Sequence, residues 1–365
     1  MTEWKEYKFS DFVEINPSVK IPKGIPVSFV EMKDLDSSVK YCESSQKKEL
    51  TGGSRFINGD TLFARITPCM ENGKICQVRN LENGFGFGST EFHILRGKDG
   101  VSDSDFVYYL SRWDEVRDHA EHNMEGSSGR QRVPKQAFDS LILSLPPLPT
   151  QRRIAAILSS LDDKIDLLHR ENATLEQMAE TLFRQWFVVE AKEEWEDVLL
   201  GNLIDIGSGK GLQRSEFVEN GLYSVLGANG DIGKTNKYLV DESNRVIYTG
   251  RVGTLGNVFR LENKKAWLSD NTLVIKPKEY YNFVYFVLKL SRLQDYNVGS
   301  TQPLIRQSDI KEIELVLPDR GILNAFEKEC DLIYEKVENN NKQIQTLIQT
   351  RDGLLPRLMS GEVKI

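Results

Sequence analysis

The stretch "LPPLPTQRRIAAILSSLDDKIDLLHREN", Leu145 to Asn172, decides how this chain is organised. A proline-punctuated strip opens there onto a long helix in mid-chain. Pro146, Pro147 and Pro149 have no place in a helix interior, because proline lacks the N–H donor and its ring blocks the preceding turn; Thr150 or a neighbour is expected to cap the start. Beyond it, Ile154, Leu158, Leu161, Ile165, Leu168, Asn172, Leu175, Ala179 and Leu182 fall alternately four and three residues apart. That spacing is a heptad seam, a narrow stripe that buries against a partner helix. The partner is in the same chain.

The sequence is written twice. "WKEYKFSDFVEI" (Trp4 to Ile15) matches "WEDVLLGNLIDI" (Trp195 to Ile206). "LFARITPCMENGKICQV" parallels "IYTGRVGTLGNVFRL", which aligns Arg65 with Arg251 and Gly73 with Gly256. "GSTEFHIL" from Gly88 resembles "LSDNTLVI" from Leu268, and "GSSGRQRVPKQAFDSLILSLP" answers "VGSTQPLIRQSDIKEIELVLP". The offset drifts from 191 through 186 and 180 to 172, as loops of unequal length require. Each copy reads as short strands, a helix, a polar loop and a closing strand.

From the closing strand the offset holds at 172, so the seam maps onto Phe326, Cys330, Ile333, Val337, Asn340, Ile344, Leu347, Arg351 and Leu354. Asn172 and Asn340 are polar seam positions, each where the other copy carries an aliphatic residue (Ile344 and Leu168). A buried Asn costs stability and pins register, so the two helices are expected to address each other. Pro356 and Gly361 are expected to close the second helix. The fold class expected is α+β: two mixed α/β domains (1–146 and 191–318) in pseudo-twofold arrangement. Two long helices (147–190 and 319–365), each about 35 residues and roughly 50 Å long, separate them as an antiparallel coiled coil.

Composition bounds the function. Hydrophobic content of 39% and charged content of 28% are globular values, which disfavours wholesale disorder. No apolar run approaches a membrane span and the amino terminus lacks the apolar core of a secretory signal, so cytoplasm and no membrane partner are expected. Four cysteines and four histidines at irregular spacings support neither a disulfide framework nor a metal site, His119 and His122 reading as a solvated helix end. The net charge of −7 excludes a uniformly basic nucleic-acid binder but not a basic face.

Catalytic motifs fail one by one. "IGSGKGLQ" and "GANGDIGKT" invite a phosphate-loop reading, but Ile204 and Ala228 stand where the first glycine must be. No dinucleotide fingerprint, nucleophile elbow or zinc-protease motif occurs. What remains are glycine-bearing polar loops at matching positions: Arg65, Lys74, Ser127, Ser128, Arg130 and Gln131 in the first copy, and Arg251, Thr254, Asn257, Ser300, Thr301 and Gln302 in the second. Arg, Gln and Asn make bidentate contacts to base edges, and small hydroxyls bind phosphate. The same residues also build ordinary turns. From residues alone a DNA reader, a fused restriction or methylation enzyme and a coiled-coil scaffold for proteins all stay open.

A repeated variable domain followed by "PLPTQRRIAAIL" and "LFRQWF", or a degenerate copy ending "LLPRLMSGEV", resembles the specificity subunit of type I restriction–modification systems. The resemblance spans essentially the whole chain and weakens in "PDRGILNAFEKECDLI", where Asn324 and Phe326 replace the expected Gln and Ile. It implies a non-catalytic chain that reads bipartite double-stranded DNA, the polar loops touching it and the helices fixing the gap. It further implies two partner methyltransferase subunits carrying S-adenosylmethionine, and restriction subunits using ATP and Mg. A recognition component of a related type IIB or IIG enzyme is the neighbouring alternative.

Overall fold

The computed structural model describes residues 4–22, 24–127, 129–363 and 365. It divides into two compact units, Met1–Glu171 with Asn339–Ile365, and Asn172–Glu338. Each unit therefore contains one copy of the repeated α/β domain together with a part of each long helix.

In the first unit a five-stranded sheet runs in the order Val13–Ile15, Phe92–Gly97, Thr61–Ala64, Ile75–Val78, Tyr41–Cys42. Its central strands "TLFA" and "ICQV" are buried at every position, which is why they read as continuous and not alternating runs. A four-stranded sheet lies beside it in the order Gln46–Glu49, Pro26–Val30, Phe85–Gly88, Ser54–Ile57. Lys5–Lys8 pairs with the closing strand Ile142–Leu145. The second unit has a four-stranded sheet in the order Ile204–Ser208, Thr272–Pro277, Val246–Gly250, Val258–Leu261. It also has a three-stranded one (Gly230–Thr235, Tyr223–Gly227, Ala266–Leu268) and the pair Glu196–Leu199 with Glu314–Leu317.

The sequence repeat is a repeat of backbone bonds. Phe9 N–H donates to the Leu141 carbonyl and Leu200 N–H to that of Ile313, both at 2.8 Å. These pairs are related by the offsets 191 and 172 read from the sequence. Leu95 faces Ile15 and Thr61, while Ile275 faces Ile206 and Ile247. The Gly230–Thr235 strand closes a hairpin with Tyr223–Gly227, so the "GANGDIGKT" segment is strand and turn.

The central helix, Leu148–Arg184, passes into one π turn at Gln185–Val189; the C-terminal helix runs Arg320–Met359. They pack antiparallel within each unit. In the first, Ile154 and Leu158 share a core with Leu354, Leu355 and Leu358, and Ile165 and Leu168 cluster with Ile344 and Leu347. In the second, Ala179, Leu182 and Phe183 share a core with Phe326, Cys330 and Ile333. Leu161 and Leu175 are half-buried, and Asn172, Val337 and Asn340 are buried. A fully buried aliphatic chain of this kind is worth about 1.5–3 kcal/mol over an exposed one.

Three details at the helix ends differ from expectation. Pro147 accepts the first amide bonds, from Thr150 and Gln151, so Thr150 lies inside the first turn instead of capping it. Pro149 sits in that turn, where no N–H is needed. Pro356 lies within the C-terminal helix, and its carbonyl still accepts from Ser360; the missing amide costs one bond, and flanking Leu355 and Leu358 are buried firmly enough to carry the helix on. Gly361, at φ +74°, follows the end of the helix. The counterpart of Gln151 is buried Leu323, not exposed Asn324. Gln151 bonds the Val101 and Pro146 carbonyls and the Asp103 amide, and in the second unit apolar packing replaces that set.

Beside the seam runs a polar stripe on the central helix, Ser159, Asp162, Asp163 and Asp166, spaced to share one face. Each member holds the first α/β domain. Buried Lys40 donates to Ser159 (2.8 Å) and Asp105 (2.7 Å), Tyr109 donates to Asp162 (2.6 Å), Tyr41 to Asp163 (2.8 Å), and Arg79 binds Asp166 with both terminal nitrogens (3.1 and 2.7 Å). Arg351 completes the set with a 2.7 Å bond to Asp162, the Arg351 side chain 2% and the Asp162 side chain 0% exposed. The apolar failure of the seam at Arg351 is thus one half of a buried ion pair. In the second unit Asp331, Tyr334 and Glu338 lie 172 residues after Ser159, Asp162 and Asp166. They take Arg245 (2.8 Å), the Arg260 guanidinium over the ring (3.4 Å) and Lys264 (3.3 Å).

Helix capping also diverges between the copies. Asp103 accepts the Asp105 and Phe106 amides of the helix Ser104–Arg112. The equivalent amides of Asn282 and Phe283 go to Glu327, supplied by the C-terminal helix at 3.0 and 2.8 Å. Burial pushes the Glu327 carboxyl up, against the pull of those two amides.

Two stability outcomes are expected. Arg351→Met should lower unfolding free energy by about 3–5 kcal/mol, because it strands a buried carboxylate. Adding Asp162→Asn, which still accepts from Tyr109, should restore most of it in urea unfolding; equal losses in single and double variants would refute the charge explanation. His93 is the second case. Its Nε2 donates to the Val133 carbonyl (2.8 Å) and its Nδ1 accepts from Asn16, whose oxygen is held by the Ile94 amide. Burial lowers its pKa to about 4 from 6.5. Between those values the unfolded chain takes up a proton that the folded chain refuses. Stability therefore falls as pH drops through this window, by up to about 3 kcal/mol. His93→Gln should flatten that part of the pH dependence of the unfolding midpoint; an unchanged slope would exclude His93 as the cause.

Candidate nucleic-acid interface

In the first domain the strand Thr61–Ala64 delivers Arg65 to its end. The Arg65 amide donates to the Glu91 carbonyl (3.0 Å), and its carbonyl accepts from Val133 (2.8 Å). Thr67 and Gln131 then exchange backbone and hydroxyl bonds, which seats the loop Glu125–Arg132 against the strand end. That loop closes on itself through mutual Glu125–Arg132 bonds of 2.9 and 2.8 Å. Gly126, at φ +121°, makes the turn possible; a Cβ there would lie 3.1 Å from the Arg130 carbonyl. Ser127 and Arg130 are exposed at the tip, Gln131 is half-buried, and Ser128 lies outside the described residues.

Glu91 organises the cations here. Arg132 binds its carboxylate with two nitrogens, at 2.7 and 2.9 Å, and Arg65 Nε stands 3.9 Å away. The Arg132 hydrogen bond holds the Glu91 carboxyl below its ordinary range. The carboxylate thus fixes one arginine fully and leaves Arg65 loosely tethered, with its side chain 30% exposed. Lys74 is turned elsewhere and donates to the Met32 carbonyl at 2.8 Å.

The second domain repeats the backbone frame. Arg251 N–H donates to Asn271 (2.8 Å), the Arg251 carbonyl accepts from Ile305 (3.0 Å), and Gly253 N–H donates to Pro303 (3.0 Å). These are the bonds of Arg65, Val133 and Thr67 shifted by the offsets of the repeat. The loop is closed by Asn297, whose side-chain oxygen accepts from Gly299 (3.0 Å) and Leu304 (2.9 Å). Ser300, Thr301 and Gln302 are exposed on it, as is Thr254 on the neighbouring turn. Asn257 is exposed beside Asn229, which accepts from it at 2.8 Å.

Within each domain the frame brings together most of the residues singled out from sequence. It also adds Glu91, Arg132 and Asn229, whose roles depend on neighbours far away in sequence. The ionic post of the first domain has no counterpart in the second, where Asn271 and Leu304 replace Glu91 and Arg132. Among the described residues no three His, Cys, Asp or Glu side chains gather as a metal site. His119 bonds the Ala137 carbonyl and His122 that of Asp118. The four cysteines are free thiols, and no described helix is long and apolar enough to cross a membrane.

Comparison with known proteins agrees along the whole chain. The family model described as type I restriction modification DNA specificity domain matches residues 1–177 and 192–347. The HindI specificity subunit of Haemophilus influenzae is 26% identical over 470 residues, covering 100% of both chains. The MjaIX specificity subunit of Methanocaldococcus jannaschii is 26% identical over 420 residues, covering 100% of this chain and 94% of that one. A type I restriction–modification S subunit from M. genitalium shares the fold, with a TM-score of 0.53 at 17% identity over 98% of this chain and 96% of the other. A family match over both copies of the repeat, on a frame whose backbone bonds are themselves duplicated, leaves one assignment: the chain belongs to the type I restriction–modification DNA specificity family.

Proposed function

We propose that this chain is the sequence reader of a type I restriction–modification complex, with each recognition domain addressing one half of a bipartite double-stranded DNA target. The observation that carries this reading is the duplicated loop frame. Polar loop residues are set twice on the same backbone scaffold, and each scaffold leads into a long helix. The frame is the same while the side chains it presents differ. Arg65, Ser127, Arg130 and Gln131 offer a cationic surface governed by Glu91, whereas Arg251, Thr254, Asn257, Ser300, Thr301 and Gln302 offer a mostly neutral, hydrogen-bonding one. Different side chains on one frame read different bases. The two half-sites therefore differ in sequence.

The paired helices set the gap between half-sites and dock two methyltransferase subunits. Adenine methylation by S-adenosylmethionine, and ATP- and Mg-dependent restriction, reside in those partner subunits. A chain with net charge −7 binds DNA weakly alone, and the partners supply the remaining phosphate neutralisation. The work of this chain takes place in the cell interior, where its DNA is.

Selection from random DNA with the chain and its methyltransferase should enrich two short blocks at one constant gap. One heptad inserted into each helix at matching seam positions lengthens each by roughly 10 Å, so the gap should widen by up to about three base pairs. An unchanged gap in a folded variant would exclude the helices as the spacer. Enrichment of no sequence at all would exclude the reader and favour a protein scaffold.

A further inference from the structure

The glycine corners after Arg65 and Arg251 hold side chains that the loop reading did not include. Gly73 and Gly256 both adopt left-handed backbones, at φ +65° and +94°. A Cβ on Gly73 would lie 3.3 Å from an Arg117 guanidinium nitrogen, and one on Gly256 would lie 2.7 Å from Gln294 Oε1. Arg117 and Gln294 are equivalent positions, since each lies eleven residues after the matched Phe106 and Phe283. Each domain thus seats one long polar side chain against the turn that follows its candidate arginine.

In the first domain that place is a polar cavity of about 260 Å³, lined by Ser37, Glu71, Asn72, Gly73, Arg112 and Arg117 among others. Two guanidinium groups converge on it. Arg112 donates to the Ser37 carbonyl (2.9 Å) and to the Tyr108 hydroxyl (3.3 Å), and makes no ion pair among the described residues. Arg117 Nε is buried with no hydrogen-bond partner. Its outer nitrogens reach only the Glu71 carbonyl at 3.4 Å and the Asp114 carboxylate at 3.9 Å. Glu71 keeps its side chain exposed at the rim. A cavity walled by two guanidinium groups, with Asp114 at 3.9 Å as their one ion pair among the described residues, has the room and the positive charge to take an anion on the outer guanidinium nitrogens.

We propose that this cavity binds one backbone phosphate of the DNA addressed by the first recognition domain. Arg117 faces the phosphate, and Arg112, tied down by Ser37 and Tyr108, supplies the fixed second charge. The cavity lies at the turn that follows Arg65, with Glu71, Asn72 and Gly73 forming one wall. In the second domain neutral Gln294 occupies the place, and the phosphate site belongs to the first domain alone. The inference rests on the DNA-reading function proposed above.

The test uses the full chain with its methyltransferase and the DNA enriched by selection. Neutral methylphosphonates are placed one at a time along the half-site of the first domain. In the wild type one position should lower affinity at least about tenfold. In Arg117→Gln the same replacement should cost severalfold less than in the wild type, and the slope of log affinity against log salt should fall by about one. Arg117→Lys should recover part of the slope, and base preference should stay unchanged in both variants. If specific binding persists but no phosphate position couples to Arg117, the site is refuted and the reading function stands. A changed base preference in Arg117→Gln also refutes it, in favour of base contact. Loss of all specific binding by the wild-type complex would instead overturn the reading function. Should Arg117→Gln unfold, Arg117→Lys measured against the same methylphosphonate series decides the question.

Discussion

The buried bond between Asp162 and Arg351 is the contact on which the first unit depends. Asp162 belongs to the central helix and Arg351 to the C-terminal helix. Through Tyr109 and the Ser38 carbonyl both are tied to the recognition domain. Removing two charges from water is expensive, and only the full set of bonds compensates for it. The same expense makes the arrangement exclusive: a slip of either helix by one turn would part the two buried charges, leaving Asp162 only its Tyr109 bond. Hydrophobic seam residues tolerate neighbours of similar size, so the apolar stripe alone does not discriminate as sharply. Register in this half of the helix pair is therefore set by charge, with Ile165, Leu168 and Ile344 supplying the bulk of the burial.

The two copies show which parts of such a reader are free to vary. What repeats is backbone hydrogen bonding: the strand-end bonds of Arg65 and Arg251, and the closing pairs Phe9–Leu141 and Leu200–Ile313. These bonds are indifferent to side-chain identity. The side chains that stabilise the frame have been exchanged wholesale. A local Asp103 cap in one copy is a Glu327 cap from the long helix in the other. A Gln151 hydrogen-bond set becomes the packing of Leu323, and a Glu91–Arg132 pair becomes Asn271 and Leu304. A frame held by its backbone can present new chemistry at its loops without refolding.

Much of this was legible in the residues. The heptad spacing from Ile154 to Leu182 is periodic over several turns, and periodicity survives any tertiary context. The repeat was legible because the offsets drift only in loops. Pro356 misled because its effect depends on what the neighbouring residues bury. Asn324 misled because one position of shift at a helix start moves a side chain by about 100° around the axis. The polar stripe of Ser159, Asp162, Asp163 and Asp166 carried no sign of burial, because carboxylates on a helix are usually solvated and their partners, Lys40, Tyr41, Arg79 and Tyr109, lie far away in the sequence.

By itself the sequence determined that two similar domains alternate with two seam-bearing helices, since local pattern and self-similarity need no third dimension. It also singled out the polar loops by composition. Only the tertiary structure decided which of those side chains stay available. Arg65 is loosely tethered by Glu91, Lys74 is occupied by the Met32 carbonyl, and Arg117 converges with Arg112 on one cavity. Such facts follow from bonds between residues tens to hundreds of positions apart. Hydrogen bonding and burial are properties of neighbours in space, which the linear order of residues does not contain.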